Sequence, residues 1–326
     1  MNDNKEEALN ELQRLEESQN IDQIDDEVKS NTIVDEVPIV ENNSGKVMPP
    51  NIVDGYKILD ESELPLGGIL YPISWRFAYR CPTTKEIANF STVRSEDGPA
   101  VIAVIEDLIR KCVKIYDVDT DNEISSDQIN DSHRVFFLLK LREFYLPGKT
   151  VQYPSFCTID HTVYDVNLTA DKLEYHEIEE KWLNCFDGRV FTIDGSVIDM
   201  PELKEPIILH IPTLNTSSRL YKYIVNSFRD KSSKDRENKS ELSILRDKKF
   251  LLFASFLFQT GKEPIKQIVQ RYKELEKNDT LFKAYFKIIN KLKFDALESI
   301  AIDCPICGSE EVVPLSFPEY ENLFID

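Results

Sequence analysis

The chain has 326 residues, of which 41% are hydrophobic and 30% charged, and its formal net charge is −19 at pH 7. This hydrophobic content excludes disorder of the whole chain and predicts one large domain or two modest ones. No apolar run approaches the roughly 20 residues of a membrane helix, and the acidic first thirty residues are unlike a signal peptide. The sequence therefore predicts a soluble, cytosolic-type protein. Its charge favours a protein partner over nucleic acid or anionic membrane.

The first fifty residues form an acidic segment with thirteen Asp or Glu against four Lys or Arg, a net charge of −9. No aromatic residue precedes Tyr56. Residues 1–55 are therefore predicted to be a disordered acidic leader. The alternative is a short helix that folds on a partner through Leu9, Leu12 and Leu15.

An α/β domain is predicted over residues 56–215. It begins with a strand at 73–79, in which apolar and polar residues alternate. Thr83 and Glu86 have the spacing of a helical capping box. Helices are expected at 99–116 and 131–145, where apolar residues recur at helical intervals.

The middle of the chain is predicted to be mostly antiparallel β. One hairpin joins 156–159 to 162–166. Another joins 189–193 to 196–198 through Asp194-Gly195, a favoured two-residue turn. A further strand covers 206–212.

Residues 216–303 are predicted to form a helical bundle with a mobile loop near 230–243, and residues 304–326 to form a Cys-Pro-x-Cys-Gly knuckle and tail. The helices are expected at 219–229, 250–258, 263–277 and 280–293. The predicted fold class is therefore α+β, with a strand–helix unit, a β middle, and a C-terminal bundle closed by the knuckle.

The knuckle Cys304-Pro305-Ile306-Cys307-Gly308 predicts a structural zinc site. Two thiolates two residues apart on a tight turn can bind one Zn²⁺, and the glycine lets backbone N–H groups approach a sulfur. Tetrahedral zinc needs four ligands, and the chain has no second Cys-x-x-Cys.

Cys157 and His161, at the turn of the predicted middle hairpin, are the preferred third and fourth ligands. Cys81, Cys112 and Cys185 are the remaining cysteines. A metal-free turn is the alternative. A Cys304–Cys307 disulfide is less favoured because the cysteines lack the spacing of a secreted disulfide framework.

Two other segments resemble ligand-binding loops but fail in detail. Residues 117–128 place acids at positions 1, 3 and 5 of a calcium loop, but Asn122 and Gln128 replace the expected glycine and glutamate. Gly148-Lys149-Thr150 ends like a phosphate loop but lacks its first glycine. Neither segment is predicted to bind a ligand.

Three motifs together carry a family resemblance. They are Leu-Pro-x-Gly-Gly-x-Leu-Tyr-Pro at 64–72, Phe-Leu-Leu-x-Leu-Arg-x-x-Tyr at 137–145, and the terminal Cys-Pro-x-Cys-Gly before a tail with Phe317 and Phe324. In this order the motifs resemble the T-even-type phage baseplate hub protein family, over roughly residues 64–326. The chain departs from a second Cys-x-x-Cys in the middle hairpin, because Cys157 is followed by Asp160 and His161.

The resemblance implies a non-enzymatic hub component or hub assembly chaperone that binds other baseplate proteins during contractile-tail assembly. It would act in the host cytoplasm and would remain in the virion if it is a structural subunit. The sequence does not separate subunit from chaperone. The alternative is a zinc-ribbon module that binds nucleic acid or has a regulatory role, which the negative charge disfavours.

An enzyme is not predicted, because the sequence has no recognisable triad, HExxH motif, dinucleotide loop or hydrolase elbow. A zinc hydrolase using Cys304, Cys307 and a histidine, with an open coordination position, is the enzymatic alternative.

Overall fold

The protein is α+β, with helices and antiparallel sheets. This computed structural model describes residues 55–93, 98–229, 244–245, 247–294, 296–297, 299–314 and 323–324. Residues 1–54 of the predicted leader and the predicted loop at 230–243 lie outside these ranges. Across the described ranges, none of the helices combines the length and apolar character needed to cross a bilayer.

The first sheet has four antiparallel strands in the order β1-β2-β3-β4. Its strands are β1 (Lys57–Leu59), β2 (Trp75–Tyr79), β3 (Val113–Asp117) and β4 (Asn122–Ile124). The segment that resembles a calcium loop, residues 117–128, therefore covers the β3–β4 turn, strand β4 and a 3₁₀ helix.

Two helices connect β2 to β3, namely α1 (Thr84–Phe90) and α2 (Gly98–Cys112). The capping box predicted at Thr83 is confirmed, because its side chain accepts a hydrogen bond from Glu86 N while the Glu86 side chain accepts one from Thr83 N. The predicted helix at 99–116 was too long, since β3 begins directly after Cys112.

The β middle contains one hairpin and a three-stranded antiparallel sheet. It follows helix α3 (Arg134–Tyr145) and comprises β5 (Val151–Phe156), β6 (Val163–Leu168), the short helix α4 (Glu180–Leu183), β7 (Phe186–Asp187), β8 (Val190–Ile193) and β9 (Ile207–His210). β5 pairs with β6, and β8 lies between β7 and β9.

The hairpin predicted through Asp194-Gly195 was wrong, because residues Gly195–Ile198 form a 3₁₀ helix. Gly195 is buried, and a Cβ added there would clash with the Met200 carbonyl oxygen. Met200 N donates a hydrogen bond to Gly195 O at 2.8 Å, which turns the chain back on itself. β8 therefore pairs with β9 instead of with residues 196–198.

In the described part of the last third, helices are followed by a hairpin. The elements are α5 (Leu214–Arg229), α6 (Lys248–Ala254), α7 (Ile265–Lys277), α8 (Asp279–Lys291), β10 (Ser299–Asp303) and β11 (Glu310–Pro314). Helix α7 packs against the other three helices. The Cys-Pro-x-Cys-Gly turn joins β10 to β11.

Buried apolar side chains form two main cores. The first lies between the four-stranded sheet and helices α1 to α3 and also includes Leu323 and Phe324. The second contains β8 and β9 together with α6 to α8. The three-stranded sheet therefore shares its core with the C-terminal helices.

A buried polar group lies where the two cores meet. Leu70 belongs to the second core and Tyr71 to the first. The Tyr71 hydroxyl lies 2.9 Å from His133 Nδ1 and accepts a hydrogen bond from Asn130 N at 3.2 Å. Arg189 donates to Asn130 Oδ1 at 3.3 Å. The tautomer of His133 sets the direction of the Tyr71–His133 hydrogen bond, because a neutral imidazole can donate or accept at Nδ1.

A buried carboxylate ties α2 to α3. The Glu106 side chain is 0% exposed, and its two oxygens lie 3.1 Å from Arg110 Nη2 and 3.2 Å from Arg134 Nη2. Arg110 also pairs with Asp127, and Arg134 also pairs with Asp131, so removing Glu106 would take a buried carboxylate from both arginines but leave each of them a second partner.

Candidate metal centre

Two hairpin turns in the structure share one backbone geometry. In the β5–β6 turn, Cys157 N donates to Thr162 O at 2.9 Å and Cys157 O accepts from His161 N at 3.1 Å. In the β10–β11 turn, Cys304 makes the same two hydrogen bonds, with Ser309 O and Gly308 N, both at 2.9 Å. The two turns therefore correspond residue by residue.

The correspondence assigns His161 to the position of Gly308 and Asp160 to that of Cys307. The backbone agrees, because His161 and Gly308 are both left-handed, with φ of 62° and 70°. Only the first and fourth residues of a Cys-x-x-Cys knuckle supply ligands. The middle hairpin therefore offers Cys157 and Asp160.

The structure brings Cys157, Asp160, Cys304 and Cys307 together. One ligand atom from each lies within 4.8 Å of the others. Cys157 Sγ is 3.6 Å from Cys307 Sγ, and Cys304 Sγ is 3.5 Å from Asp160 Oδ2. Three of the four ligands predicted from the sequence are thus adjacent, and Asp160 stands where His161 was expected.

These distances fit a tetrahedral metal ion. With Zn–S near 2.3 Å and Zn–O near 2.0 Å, the edges of the tetrahedron are about 3.8 Å between sulfurs and about 3.5 Å between sulfur and oxygen. The observed 3.6 Å and 3.5 Å lie close to both values. A donor set of three thiols and one carboxylate also suits zinc, which accepts both sulfur and oxygen ligands.

Backbone N–H groups support two of the sulfurs. Asp160 N lies 3.5 Å from Cys157 Sγ, and Ile306 N lies 3.5 Å from Cys304 Sγ. Both of these thiols are buried, whereas Cys307 is exposed. Such donors stabilise the thiolate form that binds a metal.

The ligands differ in their ionisation. The Thr162 N–H, 2.9 Å from Oδ1, lowers the pKa of Asp160, so this carboxylate is charged at neutral pH. Burial raises the pKa of Cys157 to about 11, whereas hydrogen bonds with Ser309 lower the pKa of Cys307. Cys157 would therefore release a proton when it binds a cation.

A polar network surrounds the four ligands. Ser309 Oγ lies 3.0 Å from Cys307 Sγ and 3.4 Å from Cys157 Sγ. Glu311 is buried and accepts hydrogen bonds from the backbone and the hydroxyl of Thr158, with Thr158 N at 3.0 Å from Oε1. Burial works against ionisation of Glu311, but the hydrogen bonds from Thr158 outweigh this effect and lower the pKa of the Glu311 carboxyl. Because Thr158 belongs to the β5–β6 turn and Glu311 to β11, these hydrogen bonds join the two hairpins.

The predicted ligand His161 lies outside this group. Its side chain is exposed, and its ring stacks on Phe156 with centroids 5.6 Å apart. Elsewhere, Cys112 is buried in the first core, as its helical pattern predicted, and Cys81 and Cys185 lie away from the four ligands.

Asp160, Ser309 and Glu311 are the site residues that the sequence reasoning missed. A usable signal was present, because Cys157-Thr-Ile-Asp-His-Thr162 aligns without gaps with Cys304-Pro-Ile-Cys-Gly-Ser309. Spacing favours Asp160 over the chemically more common histidine.

Comparisons of the chain with protein-family models, curated proteins and solved structures found no match.

Proposed function

We propose that Cys157, Asp160, Cys304 and Cys307 bind one structural zinc ion. The observation that carries this proposal is the meeting of two equivalent turns, which bring four protein ligand atoms within 4.8 Å of one another. A metal with four protein ligands has no open position for water or substrate, which is typical of structural zinc and not of zinc hydrolases. The ion would fasten the last hairpin to the middle of the chain.

We propose further that the protein is a non-enzymatic binding protein. The function that we propose for it is that of a contractile-tail baseplate hub component or hub assembly chaperone, which binds other baseplate proteins in the host cytoplasm. The order of the three sequence motifs supports this proposal, and a structural metal is consistent with a scaffold. A subunit would persist in purified tails, whereas a chaperone would be absent from them.

A zinc-ribbon module for nucleic acid remains the second candidate because of the knuckle itself. The charge of the two hairpins opposes it. Residues 151–168 and 299–314 contain no lysine or arginine and five carboxylates, whereas phosphate binding requires basic side chains.

The test is a pull-down of the tagged full chain from phage-infected cells, with mass spectrometry and zinc quantification of the same eluate. We expect baseplate proteins and about one zinc per chain. A Cys304→Ser, Cys307→Ser variant should lose the zinc, and Cys81→Ser should keep it. Recovery of nucleic acid without tail proteins would overturn the hub proposal, and hub proteins without zinc would overturn the metal proposal alone.

A further inference from the structure

The two hairpins that hold the metal site also expose large apolar side chains. We define the hairpin-tip surface as Phe156, Ile159, Val163, Ile306 and Val312, which are 51%, 68%, 68%, 70% and 70% exposed. Single exposed hydrophobic residues are normal, but a concentration of them marks an interaction site. Five of the twelve large hydrophobic residues exposed in the described ranges lie in these two hairpins.

The five side chains belong to one end of the fold. Ile159 and Ile306 hold the same third position in the two equivalent turns, and Cys157 and Cys307 bring those turns within 3.6 Å, sulfur to sulfur. Phe156 is the cross-strand partner of Val163.

Val312 follows Glu311, which accepts hydrogen bonds from the opposite hairpin at Thr158. Each of the five residues is therefore within two positions of a residue that takes part in the site.

The negative charge of the two hairpins indicates which kind of partner would bind to the hairpin-tip surface. The five carboxylates of the hairpins are Asp160, Asp165, Asp303, Glu310 and Glu311, and no lysine or arginine accompanies them. Asp160 and Glu311 contact the thiols, whereas the other three are exposed. A second copy of this acidic chain would be repelled, whereas a segment with lysine or arginine would be attracted.

Unpaired strand edges indicate how the partner would bind. Within the described ranges, β5–β6 and β10–β11 are two-stranded sheets, so each strand pairs on one side only. β6 contains no proline and exposes Val163, Asp165 and Asn167 on one face. An extended segment can add to such an edge by backbone hydrogen bonds, while alternate side chains meet the exposed face.

We infer that the hairpin-tip surface docks an extended segment of another protein in which apolar and basic residues alternate at every second position, so that both kinds of side chain meet the exposed face. This inference rests on the proposed role as a protein-binding component and names the surface that would perform it. The metal site would hold the two tips in register, so that Ile159 and Ile306 contact the same segment.

The test uses the full zinc-loaded chain and two fluorescent nine-residue peptides with serine at the even positions. One peptide carries valine and lysine in turn at the odd positions, and the other carries valine and glutamate there. We expect the lysine peptide to bind and the glutamate peptide not to bind. The Ile159→Ser, Ile306→Ser variant should weaken binding at least about tenfold, since it removes two apolar contacts. Ile208→Ser, which changes a 55% exposed isoleucine on β9, should keep the affinity within about twofold.

Equal binding of both peptides, no binding of the lysine peptide, or an equal effect of the two isoleucine variants would overturn the inference. If circular dichroism shows that the double variant does not fold, the Asp165→Asn, Glu310→Gln variant replaces it. This variant should bind the lysine peptide more weakly, and its affinity should depend less on salt concentration than that of the native chain. The pull-down separates the two proposals. A folded double variant that still retains baseplate proteins refutes the surface but leaves the hub function intact.

Discussion

Lowering the pH from 7 to 5 should destabilise the protein through His133, which is fully buried where the two cores meet. Burial lowers the pKa of His133 from 6.5 to about 3, and the positive charge of Arg189 adds to the effect. The unfolded chain therefore takes up the proton more readily than the folded one. The free energy of unfolding should fall as the pH drops below about 6.5 and level off near pH 3.

The size of the effect follows from these two pKa values. Proton linkage gives a loss of about 2 kcal/mol between pH 7 and pH 5, with a slope approaching about 1.4 kcal/mol per pH unit. Glu86 and Glu263 have pKa values lowered to about 2, and their stabilisation is lost mainly below the ordinary value of 4.5. They therefore add little above pH 5.

The assay is urea unfolding at pH 7, 6 and 5 for the native chain and the His133→Phe variant. Phenylalanine keeps a ring in the cavity but cannot titrate, so the variant should lack about 2 kcal/mol of the pH-dependent loss. His161→Phe changes an exposed histidine and should behave like the native chain. An unchanged pH dependence in His133→Phe would refute the reasoning, because contributions from other groups cancel in this comparison.

The remaining predictions concern the metal site and the buried carboxylate. Asp160→Ala should reduce bound zinc from about one per chain and weaken zinc affinity at least about tenfold, as measured by competition with a chromogenic chelator. His161→Ala should leave both the zinc content and the affinity unchanged. The reverse order of the two variants would show that the histidine is the ligand. Glu106→Gln should lower the free energy of unfolding by about 2 kcal/mol, because two arginines lose a buried charged partner and keep only Asp127 and Asp131. Asp107→Asn breaks an exposed ion pair on the same helix and should lower the free energy of unfolding by less than about 1 kcal/mol, as measured by chemical denaturation. Equal losses in the two variants would contradict a special role for the buried carboxylate.

Strongly periodic segments could be read from the sequence, but their ends could not. The apolar stripe of α2 continues in phase through Val113 and Ile115, which are buried in β3 instead. Both residues serve equally well on a helix face or in a strand, and no glycine or proline marks the change at Cys112. β2 was expected to bury one face, yet Arg76 and Ala78 on its other face are also buried. That second layer depends on contacts distant in sequence.

The metal site was predictable as far as its cysteines. Spacing singled out Cys304 and Cys307, and the hairpin turn singled out Cys157. His161 was preferred for its side-chain chemistry and its place in the turn, whereas the backbone conformation decides which residue of the turn faces the cysteines. A left-handed residue at the fifth position points its side chain away, so His161 stacks on Phe156 instead.

The distance along the chain between the two turns has a consequence for biosynthesis. Cys157 and Cys307 are 150 residues apart. At the usual translation rate of 5–20 residues per second, the first cysteine would wait about 8–30 s on the ribosome before its partners are made. During that interval neither hairpin has its complete ligand set. The four ligands can therefore come together only after the intervening helices have been synthesised. A chain released from the ribosome before residue 304 could not form the site.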